Sequence, residues 1–363
     1  MEFLLLAAPI LLFALTWLLI GRRPRLLPGL GGRATSIAFS PGGQTLVCAS
    51  SNSFVQKWIP DIQKWRSFDS TANRMSSMPP LFLRLCFSPD GQTLYAGGSA
   101  LTQSYSATGH AWDMSTRQRR FSFNHLQGPA FDISPDGRWA AMGYRDAVNV
   151  IDLQGKPARL PKDSFRSREY FQMLPSRRLR AAGNVTCVAF SPDNRTLVVG
   201  GESVGSPVAF WDVPSARRIE GKTWPVATNF PGIANAMVSS APAFVEWSPD
   251  GGRVAMANAS QLTIYNWASG SSIEVLWPRA KTFAPTVTNF GVGNVPILAW
   301  SPDGQWLFFG GDEVRQWRAQ DLKLSRSFGI GGPLAVAPDG KTLATANRSE
   351  SGDPMGVWLW KIG

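Results

Sequence analysis

Two histidines and three cysteines are all that 363 residues offer toward conventional metal, redox and imidazole chemistry. His110 and His125 show no ligand spacing with each other or with Cys48, Cys86 and Cys187. The three cysteines fall in apolar segments that read as inner strands, where a free thiol acts as a small buried hydrophobe. An odd count of three cannot staple a secreted scaffold and fits a reducing compartment. Oxygen-only calcium sites leave no comparable signature and stay open. No cofactor is implied.

The residue that does cluster is arginine, 27 against 9 lysines, in a chain of net charge +11. Residues 156–183 hold Lys156, Arg159, Lys162, Arg166, Arg168, Arg177, Arg178 and Arg180 against Asp163 and Glu169, a net of +6. Residues 21–33 add Arg22, Arg23, Arg25 and Arg33. Arginine grips carboxylate or phosphate bidentately, so the first cluster is a candidate partner surface through Arg166, Arg168, Tyr170, Phe171, Arg177, Arg178 and Arg180. A solvated basic loop, an acidic protein partner, and nucleic acid or lipid phosphate are the three readings. No helix-turn-helix or related fingerprint supports nucleic acid. Two apolar-tipped and almost uncharged insertions add Trp224 with Phe230 and Trp277 with Phe290 as candidate interface anchors. The same side chains could instead cap a channel.

These side chains need a scaffold, and composition narrows it. With 44% hydrophobic residues the chain can bury a large core. Only 17% charged residues, with 35 Gly and 27 Pro, exclude a helical bundle and favour short strands joined by turns. The N-terminus is different. Phe3 to Ile20 contains no charge, and as a helix it would span about 27 Å, close to a bilayer's hydrocarbon core. Arg22, Arg23 and Arg25 follow at once, so residues 1–21 read as a transmembrane signal anchor with the rest cytoplasmic and the N-terminus outside. The juxtamembrane arginines suit topology and anionic lipid. The alternative is a cleaved signal peptide with a periplasmic or secreted product. Against it, no basic residue precedes the apolar run and no small-x-small cleavage site follows.

Beyond the anchor one phrase recurs: Ser88-Pro89-Asp90-Gly91, and again from Ser134, Ser248 and Ser301, with variants from Ser40, Ser191 and Ala337. Proline presets the first turn position, Ser and Asp bond the local backbone, and Gly or Asn accepts the left-handed conformation. Short apolar strands flank each turn. A third strand then carries Trp58, Trp112, Trp211, Trp267, Trp317 or Trp360, with Ile151-Asp152 in the third unit. Spacings of 48, 46, 57, 57, 53 and 36 residues, at about four strands per unit, fit a propeller.

On these residues the chain resembles a WD-repeat protein, an all-β, seven-bladed β-propeller spanning residues 22–363 and preceded by one N-terminal transmembrane helix. The fifth and sixth units, from Trp247-Ser248 and Trp300-Ser301, are also similar to the TolB-type repeat. The family's Gly-His pair before the first strand is missing in every unit, so its His-centred tetrad is not expected. The last unit has three strands, and Arg25 to Gly32 resembles Leu324 to Gly332. Residues 25–30 are therefore expected to pair with residues 356–362 and remove an open sheet edge. Residues 156–183 then read as an insertion between the third and fourth units, leaving from the face opposite the turns, which are expected toward the membrane. The expected function is a non-enzymatic, membrane-tethered scaffold for protein–protein interaction through the propeller's loop face. A lactonase-like or metal-dependent propeller hydrolase and a periplasmic TolB-like envelope assembly factor are the alternatives.

Overall fold

The computed structural model describes residues 24–51, 54–68, 84–97, 108–124, 130–156, 171–172, 174–181, 183–202, 208–222, 244–257, 261–276, 287–288, 291–292, 297–310, 313–329, 331–346 and 356–362. They form a seven-bladed β-propeller. Blade 1 runs Ala34–Phe39, Leu46–Ser50, Val55–Ile59 and Lys64–Ser67 from axis to rim. Blades 2 to 6 repeat this up-and-down order from inner strands Arg84–Phe87, Ala130–Ile133, Asn184–Phe190, Phe244–Trp247 and Ile297–Trp300. Blade 7 has Leu334–Val336, Thr342–Ala346 and Gly356–Lys361, and takes its fourth strand, Arg25–Pro28, from the other end of the described chain. Arg25 lies opposite Leu359 and Pro28 opposite Gly356 in antiparallel register.

Each Ser-Pro-Asp-Gly phrase closes a hairpin with its own groups. In blade 5 the Ser248 N–H donates to Arg253 O at 2.8 Å and the Gly251 N–H to Ser248 O at 2.9 Å. Ser248 Oγ donates to Asp250 Oδ1 at 2.5 Å, and that oxygen also accepts the Gly252 N–H at 3.0 Å. Gly251 takes φ +70°, and Asn194 takes φ +63° at the same place in blade 4, a region asparagine tolerates best after glycine. The turns also touch one another. A Cβ on Gly251 would sit 3.7 Å from Pro192 of the preceding turn, and Gly43 stands likewise beside Pro338 across the closing junction. Where Asn194 replaces glycine, its Oδ1 accepts the Asp136 N–H of blade 3 at 2.9 Å.

The core is a set of blade junctions. Leu27, Ala344 and Val357 of blade 7 pack with Ile37, Trp58 and Trp65 of blade 1. Val148 and Leu179 of blade 3 pack with Phe190 and Leu197 of blade 4. Phe210 of blade 4 packs with Trp247 and Tyr265 of blade 5. Each blade thus buries both faces only against its two neighbours, the stacking logic of repeat proteins. Among the described residues no helix is long and apolar enough to cross a membrane. The expected span, Phe3 to Ile20, lies outside the described residues, as do Arg22 and Arg23.

Candidate functional site

Strand order assigns each connection to a face. The Ser-Pro-Asp-Gly turns join first and second strands, and third-to-fourth connections leave from the same face. Second-to-third and blade-to-blade connections leave from the other. Arg25–Pro28 is a fourth strand, so residue 24 enters from the turn face. Arg25 is exposed on it.

This order corrects the placement of the basic cluster. Residues 156–183 were expected as one loop between the third and fourth units, on the face opposite the membrane-side turns. Ser176–Arg180 is instead the outer strand of blade 3, with Leu179 opposite Val148 and Arg180 opposite Ala147. The preceding connection joins third to fourth strand, so it leaves from the turn face, the same face as residue 24. The strand escaped notice because Leu179 is its single apolar residue, so the segment lacks a strand's alternating pattern. Arg177, Arg178 and Arg180 are exposed along it. Arg177 Nη1 donates to Pro214 O of blade 4 at 2.5 Å, and its guanidinium lies 5.7 Å from the Trp139 ring. Arg178 faces Asp146 at 3.9 Å. Phe171 pairs through its backbone in parallel with Ser122, along the outer strand of blade 2. Arg166, Arg168, Tyr170, Trp224, Phe230, Trp277 and Phe290 lie outside the described residues. Of the expected partner residues, the structure therefore brings together Arg177, Arg178 and Arg180.

A second group was missed in the sequence. Three ionisable residues stand on inner strands: Arg84 in blade 2, Asp132 in blade 3 and Glu246 in blade 5. Arg84 Nη2 lies 3.2 Å from Asp132 Oδ1, and Asp132 Oδ2 accepts the Phe190 N–H of blade 4 at 2.9 Å. Burial pushes the Asp132 carboxyl up, and Arg84 pulls it partly back. Burial pushes Glu246 up to about 7, with Arg84 opposing and Asp132 reinforcing. The Glu246 Oε2 is sealed from solvent without a hydrogen-bond partner. Cys86 Sγ lies 3.9 Å from Asp132 Oδ1, and burial pushes the thiols of Cys86 and Cys187 up to about 12, away from thiolate chemistry. The detectable signal was a charge at the position two before the turn serine, which is alanine in four of the other five units. Its partners sit on other blades, so no local window shows them together.

His110 is buried on the third strand of blade 2, with Nδ1 2.8 Å from Ser122 Oγ and the ring 5.4 Å from Trp112. Burial, with Arg119 nearby, pushes it down to about 3, so it stays neutral. His125 lies outside the described residues. Part of the repeat tryptophan network survives in blade 7, where Trp360 Nε1 donates to Thr345 Oγ1 at 2.8 Å. In blade 4 Val199 stands where Thr345 does, and the Trp211 Nε1 has no partner. One Gly-x-Ser-x-Gly phrase, Gly201 to Gly205, begins inside the strand Thr196–Glu202, and the next described element is the strand Val208–Asp212, whereas a hydrolase nucleophile elbow needs a strand leading to a helix. Among the described residues no His, Cys, Asp and Glu side chains group in a way that would hold a metal ion.

Two segments, residues 26–58 and 174–203, match the model of the WD domain, G-beta repeat. They cover the closing strand with the first three strands of blade 1, and the outer strand of blade 3 with the first hairpin of blade 4. The fifth and sixth units lie outside these matches, and their TolB-type likeness rests on sequence alone. No protein of curated function matches the chain by sequence. Among solved structures, a chain of Kuenenia stuttgartiensis hydrazine synthase superposes with TM-score 0.64 at 19% identity, covering 92% of this chain and 96% of that one. A chain of a mitotic checkpoint complex superposes with TM-score 0.62 at 16% identity, covering 93% of this chain and 91% of that one. Likeness at such identity carries the fold alone, that of a seven-bladed propeller, and the WD-type repeat is matched at the two segments above.

Proposed function

We propose that this protein is a non-enzymatic scaffold that holds a protein partner, tethered to a membrane by its N-terminal segment. The observation that carries the reading is the outer strand of blade 3. It presents Arg177, Arg178 and Arg180 to solvent on a closed, rigid ring. An exposed edge strand rich in arginine resists indiscriminate strand addition and suits an acidic protein surface. That one of the similar solved structures is a checkpoint complex fits this reading.

The tether is supported by the uncharged run from Phe3 to Ile20 and by the arginines that follow it. Since residue 24 enters from the turn face, that face or its rim would lie toward the bilayer. The connection before Phe171 would emerge on the same side, near anionic lipid. The ring would then be cytoplasmic. Cross-linking with mass spectrometry in intact cells tests the scaffold. The expected result is one dominant partner whose cross-links fall on blade 3 and its neighbours and vanish in the double variant Arg178→Glu, Arg180→Glu. A monomer with no stoichiometric partner under mild detergent would sink it. Protein sequencing of the mature N-terminus tests the tether, and a start near residue 22 or later would replace it with a periplasmic, envelope-assembly role.

One observation favours a second reading, a propeller hydrolase: Arg84, Asp132 and Glu246 lie close together on inner strands near the axis. Metal analysis of the purified protein separates the two, because a stoichiometric bound ion would revive the enzyme.

A further inference from the structure

Two neighbouring blade junctions share one hydrogen-bonded frame and differ at the residue that spans it. In blade 5 the fifth residue after the turn serine is Arg253. Its N–H donates to Ser248 Oγ at 2.9 Å, and its carbonyl accepts the Ser248 N–H at 2.8 Å. Its guanidinium lies 5.0 Å from the centre of the Trp300 ring in blade 6, and its Nη2 donates to Gly304 O at 2.7 Å. The Trp300 indole N–H donates to Glu246 O at 3.3 Å. This junction is filled.

One blade earlier the frame repeats. The Thr196 N–H donates to Ser191 Oγ at 2.8 Å and its carbonyl accepts the Ser191 N–H at 2.8 Å, so Thr196 stands where Arg253 does. Trp247 stands for Trp300, and Gly251 for Gly304. Threonine is too short to cross the junction, and a cleft of about 370 Å³ opens there. Pro192, Asp193 and Thr196 line it from blade 4, and Trp247, Asp250 and Trp267 from blade 5. Trp247 is 6% exposed, and its indole N–H has no partner.

We infer that this cleft receives an arginine side chain from a partner protein, in the place that Arg253 fills from within one blade along. The inference rests on the scaffold reading and adds the chemistry of one contact. A planar guanidinium matches the site in three ways. It would stack on Trp247 as Arg253 stacks on Trp300. It would donate to Gly251 O as Arg253 donates to Gly304 O. The Asp193 and Asp250 carboxylates each spend Oδ1 on their own turns, accepting the Arg195 and Gly252 N–H groups at 3.0 Å, and both residues line the cleft and bring negative charge to it. Lys222 already lies over the second aromatic wall, with Nζ 4.7 Å from the Trp267 ring centre and 2.6 Å from Trp267 O. Trp247, held against Phe210 and Trp267, is the other aromatic residue lining the cleft.

The test uses the full chain in mild detergent and three short peptides that differ only in a central Arg, Lys or Ala. Binding is followed by calorimetry. The arginine peptide is expected to bind at least tenfold tighter than the other two. Thr196→Arg, which supplies the guanidinium from inside as Arg253 does, should lose that binding tenfold or more while melting no lower than the parent. Thr196→Met, a neutral filler, guards against a Thr196→Arg chain that fails to fold, and should show the same loss. Equal binding of the three peptides, or undiminished binding to either folded variant, overturns the cleft. A protein that binds the arginine peptide but captures no stoichiometric partner in cells overturns the scaffold alone.

Discussion

Blades 3 and 7 both receive their outer strand from a distance, and they hold it by opposite means. Blade 7 takes Arg25–Pro28, in which Leu27 is buried in the junction with blade 1 and its carbonyl accepts the Trp65 indole N–H at 3.4 Å. Blade 3 takes Ser176–Arg180, in which Leu179 is buried but the tie to the next blade is a side chain, Arg177 on Pro214 O. Each strand is held by one buried leucine and by polar contact across the junction. Of the remaining positions in blade 3, Arg178 and Arg180 are exposed arginines. The closing strand serves the ring, and the blade 3 strand also serves the surface.

The contrast can be broken at its strongest point first. Leu27→Asp places a carboxylate in the closing junction and should cost about 3–5 kcal/mol, read as a large loss of melting temperature. A shift of only a few degrees would mean the ring does not depend on its latch. Leu179→Ala should cost about 2–4 kcal/mol through the cavity it leaves in the blade 3–blade 4 junction. A cost near zero would show that the arginines, not the leucine, hold that strand.

Neither outer strand contains a group that titrates between pH 5 and 8, so pH dependence should come from the inner strands. Glu246 is raised to about 7, above its unfolded value, so the folded state binds the proton more tightly. Stability is therefore fullest below the unfolded carboxylate range and falls as pH rises through about 7, by roughly 3 kcal/mol in all. Glu246→Gln should flatten that slope in denaturant titrations from pH 5 to 8. An unchanged slope would place the titrating group elsewhere. Arg177→Ala should cost about 1 kcal/mol, the bond to Pro214 O and the contact with Trp139 together. Smallest is Arg178→Glu, whose pairing with Asp146 is exposed. It should change thermal stability by under about 0.5 kcal/mol while weakening partner capture.

The propeller was legible because its turns are self-contained. Ser, Pro, Asp and Gly within one phrase supply the φ angles and hydrogen bonds of the hairpin, so seven phrases announce seven blades. Blade 3's outer strand was illegible for the converse reason: Ser176–Arg180 becomes a strand only because Ala147–Asp152 offers it an edge. The inner cluster was hidden likewise, since Arg84, Asp132 and Glu246 meet only after blades 2, 3 and 5 converge on the axis. The cleft between blades 4 and 5 lies between these cases. Aligning the units on their turn serines sets Thr196 beside Arg253, but the consequence depends on Trp247 and Trp300, each supplied by the next blade.

The pairing of Arg25–Pro28 with Gly356–Lys361 also orders events in time. A ribosome delivers the chain from its N-terminal side, so the strand that fastens the ring is made early and must wait for a partner made late. Until Gly356 emerges, six blades have formed hairpins that cannot lock, and both the waiting strand and the seventh blade expose unpaired edges. Synthesis that stalls before this point leaves an open arc rather than a smaller ring. Closure thus reports that synthesis has passed Gly356–Lys361.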